Sequence, residues 1–152
     1  MKRGKIMKTI SPGKDIYKKN MKNIDIKIRG HHLLCLLHFE GKGYSEEFIE
    51  NMKIVKEKLD DGYKFLLVVE SDSICNKCPY LKNDKCLRES YPKEIERKDK
   101  EIINHLNLTI KEKYNFLDIK RMIFNRIKRS DFENFCKDCS WFPLCSQKSL
   151  FK

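Results

Sequence analysis

Ile24, Ile26 and Ile28 alternate with polar residues, and a period of two predicts a half-buried strand. Gly30 breaks it. The leucine-dense run His31-His32-Leu33-Leu34-Cys35-Leu36-Leu37-His38-Phe39 then predicts a short, buried helix ending near Gly41-Lys42-Gly43. Ser45 is placed to cap a second helix, with Glu46 and Glu47 in its first turn. Phe48, Met52, Val55 and Leu59 fall at i, i+4, i+7 and i+11, one apolar stripe, and Gly62 stands where the helix should close. The apolar run from Phe65 to Val69 reads as a buried strand. Strand, two helices and strand form a crossover unit, so the two strands are expected to pair in parallel.

The second half is more polar. Residues 92–106 predict a helix with Ile95, Ile102, Ile103 and Leu106 inward. Leu108-Thr109-Ile110 is read as a short edge strand. Asp118 is expected to cap a helix whose Ile119, Met122, Ile123 and Ile127 face the core and which ends at Lys128-Arg129-Ser130-Asp131. No internal repeat emerges. The expected class is α+β, a small, mostly helical single domain with a two- to three-stranded sheet and cysteine-knuckle loops around a metal centre.

Seven cysteines change the picture. An odd count fits a disulfide framework badly, and C-x2-C pairs favour metal or redox chemistry. Cys136-x2-Cys139-x5-Cys145 surrounds the single tryptophan, Trp141, and Cys75-x2-Cys78-Pro79 is followed by Cys86. Two thiols separated by two residues can turn onto one side of a tight loop, and a third can close over the same point. Soft thiolates suit iron–sulfur clusters, zinc and copper(I). Cys75, Cys78, Cys86, Cys136, Cys139 and Cys145 are the candidate metal ligands, whereas Cys35 sits in a leucine-rich helix where a plain core role is as natural. Cys75 and Cys78 with Cys136 and Cys139 would suit a zinc ribbon by number and pairing.

The C-x2-C-x5-C spacing resembles the C-terminal iron–sulfur staple of RecB-like exonucleases. There, one upstream and three terminal cysteines hold a [4Fe–4S] cluster. No nuclease metal-carboxylate motif accompanies it here, so the likeness implies ligand geometry alone. Cys75, which follows a predicted strand and loop, is the preferred fourth ligand beside Cys136, Cys139 and Cys145. Arg29-Gly30-His31-His32-Leu33-Leu34-Cys35, Gly41-Lys42-Gly43-Tyr44, Asp72-Ser73-Ile74-Cys75 and the closing Cys136-x2-Cys139-x-Trp141-x3-Cys145 together resemble domain-of-unknown-function family 1284 over roughly residues 22–147. These are small prokaryotic proteins, and the resemblance implies iron–sulfur binding without naming a reaction.

His31 and His32 admit two readings. They satisfy backbone groups at the start of a buried helix, or they form a site with Cys35 as metal ligand, proton donor or pocket wall. His31 and Cys35, four residues apart, share a helix face. His38 and His105 are read as surface or core residues, and Trp141 as a cover over the cluster.

Charge adds little. Residues 1–20 hold seven Lys and Arg against Asp15 alone, so more than half of the net +11 lies in a leader expected to be disordered, and residues 21–152 form the domain. No RNP or helix-turn-helix signature supports nucleic-acid recognition. The chain has no apolar run long enough to span a membrane and no secretory h-region, which points to the cytoplasm. The functional expectation is a [4Fe–4S] protein in electron transfer or in redox or iron sensing, with an unknown redox partner or small molecule. The alternatives are an enzyme or small-molecule-binding module built on His31, His32 and Cys35 with a structural cluster, and a zinc-stapled nucleic-acid binder.

Overall fold

A computed structural model describes residues 26–82, 85–86, 92–139, 141–148 and 150–151, with only the backbone for Lys85, Cys86 and Pro92. The leader and Ile24 lie outside these residues. The chain runs β1 (Ile26–Arg29), α1 (His32–His38), α2 (Glu46–Asp60), β2 (Lys64–Val68), a 3-10 turn (Cys75–Lys77), β3 (Leu81–Lys82) and β4 (Lys85–Cys86). It continues through α3 (Pro92–His105), β5 (Lys113–Asn115), α4 (Phe116–Arg126), α5 (Arg129–Cys136), α6 (Phe142–Cys145) and a 3-10 turn (Ser146–Lys148). This is a small α+β domain, mostly helical around a three-stranded mixed sheet.

β1 pairs in parallel with β2, Ile26 opposite Phe65 and Ile28 opposite Leu67, as the crossover pattern requires. Ser45 caps α2 by accepting from Phe48 N at 3.1 Å. The helix closes at Gly62, whose φ of +98° lets Gly62 N and Tyr63 N turn back to Leu59 and Lys58 carbonyls. The stripe Phe48, Met52, Val55 and Leu59 joins Leu33, Leu36, Phe65, Leu67, Ile102, Ile103, Ile119 and Ile123 in one core. Met122 is only partly buried at its edge.

Three expectations need correction. Leu108–Ile110 is a turn, because Asn107 and Lys111 take left-handed φ values of 58° and 68°. The edge strand is β5, set antiparallel to β2 with Phe65 opposite Tyr114. Asn115 rather than Asp118 caps α4, accepting from Leu117 N at 2.9 Å. The helix therefore starts early enough to bury Phe116. Lys128–Asp131 does not simply end a helix but opens α5, where the Asp131 carboxylate accepts from Lys128 N at 2.9 Å and Phe132 is buried.

One close approach positions the site. A Cβ on Gly30 would stand 2.4 Å from the Asp99 carbonyl oxygen, so α3 can lie against the β1–α1 junction only because residue 30 has no side chain.

Candidate functional site

The strand end, the start of α1, the loop after β2 and the middle of α3 meet around two fully buried carboxylates. Asp72 and Asp99 are 2% and 0% exposed. Asp72 Oδ1 accepts from Ile74 N and Cys75 N, each at 3.0 Å, and so shapes the loop that carries Cys75. Its Oδ2 accepts from Arg29 N at 2.8 Å and from His32 Nδ1 at 2.7 Å. Asp99 Oδ1 accepts from His31 N at 2.9 Å and from His31 Nδ1 at 2.7 Å, while Oδ2 takes Arg29 Nε at 2.7 Å. Two Asp–His pairs thus stand side by side, their imidazole centroids 4.4 Å apart. Asn51 on α2 holds the same loop by donating to Ser73 O at 2.8 Å.

Electrostatics follow from these contacts. Burial alone would push Asp72 up, but His32 and the Arg29 and Cys75 amides overcome it and hold the carboxyl at about 2. Burial likewise opposes ionisation of Asp99, and His31 and Arg29 bring it below the usual carboxylate range. Both carboxylates accept only, so Nδ1 of each histidine carries the proton. For a carboxylate-held histidine, Nε2 is the nitrogen left for a metal or a ligand. Arg29 Nη1 reaches to 4.0 Å of Cys75 Sγ. Burial and the Asp72 charge raise the Cys75 thiol strongly, against the pull of the loop amides and Arg29.

His32, Asp72 and Cys75 place one potential ligand atom each within 4.8 Å of one another, and all three are buried. This group can hold a metal ion. Cys136, Cys139 and Cys145 are not part of it.

The two C-x2-C pairs share one local geometry. Cys78 N donates to Cys75 O at 2.9 Å and Leu81 N to Cys78 O at 3.1 Å. Cys139 N donates to Cys136 O at 2.9 Å and Phe142 N to Cys139 O at 3.0 Å. Each pair is therefore a knuckle of the same hydrogen-bond pattern, and the β3–β4 hairpin after the first sets the Cys86 backbone opposite Leu81. Cys145 closes α6, and its thiol is raised by burial and by the neighbouring Cys139. Tyr44 lies between the two segments, edge-on to Tyr80 at 5.1 Å and to Trp141 at 5.2 Å.

A cavity of about 60 Å³ opens beside this arrangement, and His32, Cys35, His38, Tyr44, Trp141 and Cys145 are on its wall. Of the sequence candidates, His32 and Cys75 bring ligand atoms within 4.8 Å of each other, and Cys35 and Cys145 line the same cavity as His32. His31 belongs to the Asp99 side. The Cys86 side chain lies outside the described residues.

Sequence reasoning gave Arg29, Asp72 and Asp99 no role. Asp99 carried a signal nonetheless: it falls four residues after Ile95 and three before Ile102, an acid on an apolar stripe. Arg29 opens the Arg-Gly-His-His motif, but nothing in that motif shows that it is buried, 4% exposed at the end of a strand.

A family model described as protein of unknown function (DUF1284) matches residues 43–145. The chain belongs to this family. The DUF1284 match covers both cysteine knuckles and both buried aspartates, while Arg29-Gly30-His31-His32 and Cys35 precede it. No curated protein and no solved structure matches the chain.

Proposed function

We propose that this DUF1284 protein holds a [4Fe–4S] cluster through Cys136, Cys139, Cys145 and Cys75, and works in electron transfer or in redox or iron sensing. The observation that carries the reading is the position of His32, which neighbours the upstream sulfur of Cys75 and shares a cavity wall with the terminal sulfur of Cys145. Residues from both cysteine segments thereby approach the start of α1. The matched hydrogen bonding of the two knuckles supports the same reading, since a thiolate centre needs cysteines presented from turns of fixed shape.

A cluster and a zinc ribbon differ in the spacing they demand of their thiolates. Thiolates on a tetrahedral zinc lie roughly 3.8 Å apart, from a Zn–S length near 2.3 Å. Among the described residues, no three cysteines lie mutually within 4.8 Å. A cubane core holds its thiolates further apart. Asp72 would then orient rather than ligate, because its two oxygens already take four hydrogens. Its partner would be a redox protein or a small molecule of the cytoplasm.

Protein purified without oxygen is expected to carry iron and acid-labile sulfide in equal amounts, with the broad visible absorbance of thiolate-bound iron. Cys139→Ala should remove that absorbance. A second reading rests on the buried trio alone: one metal ion at His32, Asp72 and Cys75. One equivalent of metal without sulfide, unaffected by Cys139→Ala, would select it and sink the cluster.

A further inference from the structure

At the end of β1 a buried cation faces a cysteine. Arg29 is 4% exposed, and a guanidinium stays protonated in proteins. The residue is held at both ends: its backbone N donates to Asp72 Oδ2 at 2.8 Å, and its Nε donates to Asp99 Oδ2 at 2.7 Å. Asp99 is itself fixed by His31 and stands this close only because Gly30 has no side chain. With Nε taken, Nη1 is turned to the sulfur of Cys75, 4.0 Å away. The ion pair with Asp99 accounts for the burial of the charge. It does not account for the direction in which the rest of the guanidinium points.

Two opposite charges thus bear on Cys75. Arg29 reaches its sulfur, and Asp72 Oδ1 accepts from its backbone N at 3.0 Å. The potential of a thiolate-bound cluster follows the hydrogen bonds to its sulfurs and the charge around it. Reduction adds an electron, and part of the added charge falls on the ligating sulfurs. A cation beside such a sulfur stabilises the reduced form more than the oxidised one, and an anion does the reverse.

We infer that Arg29 is a positioning residue that raises the reduction potential of the centre proposed above, by holding an N–H toward Cys75 Sγ. Asp99 aims the cation, and Asp72 opposes it while shaping the loop that carries Cys75. The inference rests on the cluster reading and on Cys75 as a ligand within it.

Iron and acid-labile sulfide are measured first, in the full chain purified without oxygen. Redox titration with EPR detection of the reduced cluster then gives the midpoint. Arg29→Met keeps an unbranched side chain and removes the charge. At a fixed potential it should lower the reduced-to-oxidised ratio about tenfold, a fall of about 59 mV in midpoint for one electron. Asp72→Asn should move the midpoint up. Loosened packing admits water in both variants and would move both in one direction, so opposite shifts report charge. Where the variants fail to fold, pulsed EPR of the reduced cluster decides, in Arg129→Lys protein carrying isotopically labelled arginine. Arg129 is altered because it donates to Ser146 O, beside Cys145. An arginine nitrogen coupled to the cluster spin is expected there. An unchanged midpoint in Arg29→Met, shifts of one sign in both variants, or no arginine coupling would overturn this inference alone. Protein without iron and sulfide would overturn it together with the cluster reading.

Discussion

The β1–α1 junction and the C-terminal cysteine segment are both rich in potential ligands, yet they are held in opposite ways. At the junction, Arg29, His31 and His32 are buried, and each is tied to a buried carboxylate. Five of the seven residues of α1 are buried. In α6 none is. The Cys136–Cys145 segment carries turn hydrogen bonds and the Trp141–Tyr44 and Phe142–Phe132 ring contacts, and the turn after it is tied by Arg129 Nη2 to Ser146 O at 3.0 Å and by Lys148 to Glu40 at 3.1 Å. The first region is organised by the protein's own charges. The second has knuckle geometry but little burial to stabilise it, the condition under which metal binding and ordering become one event.

Removal of the proposed metal centre should separate the two regions most sharply. Chelation is expected to abolish amide-exchange protection across residues 136–148 while leaving Arg29–His38 protected. Equal loss in both would mean that the junction, too, depends on the centre. Asp99→Ala tests the other side. It removes the carboxylate that Arg29 and His31 share, a loss of about 3–5 kcal/mol, and denaturant unfolding should show the whole domain weakened. Gly30→Ala forces a Cβ against the α3 backbone, at an expected cost of about 1–3 kcal/mol by the same measurement.

Acid should act on the junction in two stages. The folded-state value of His38 is depressed, so the unfolded chain binds more protons, and stability falls as pH drops below about 6.5. Asp72 and Asp99 are also depressed, so the stability they add is complete above about 4 and is lost below it. For Asp72, titrating at about 2 when folded, this amounts to about 2 kcal/mol. Unfolding midpoints measured from neutral pH down to pH ~3 should trace both steps, and His38→Phe should remove the upper one. The smallest effect is expected from Tyr80→Ala, which deletes one half-exposed ring contact worth about 1 kcal/mol. It should loosen the terminal segment without touching the Asp–His pairs.

Much of this was visible in the residue pattern, and what was visible was local. The stripe on α2, its serine cap and its glycine close repeat at helical spacing, so backbone geometry alone reveals them. Parallel pairing of β1 and β2 followed from the helices between them. β5 escaped notice because Lys113-Tyr114-Asn115 has too few apolar positions to show a period, and its pairing with β2 depends on the two left-handed residues that turn the chain. The α4 cap was misplaced because Asn115 and Asp118 are both good capping residues, and burial of Phe116 chose between them.

By itself, the sequence determined most of the helices, the parallel strand pair and the two C-x2-C turns, since each depends on residues close together in the chain. Only the tertiary structure decided which polar side chains are buried together. Asp72 reaches His32 across 40 positions and Asp99 reaches His31 across 68. No spacing rule operates over such distances. Those pairs exist because packing excludes water from four segments at once, so that each carboxylate is completed by donors from another segment.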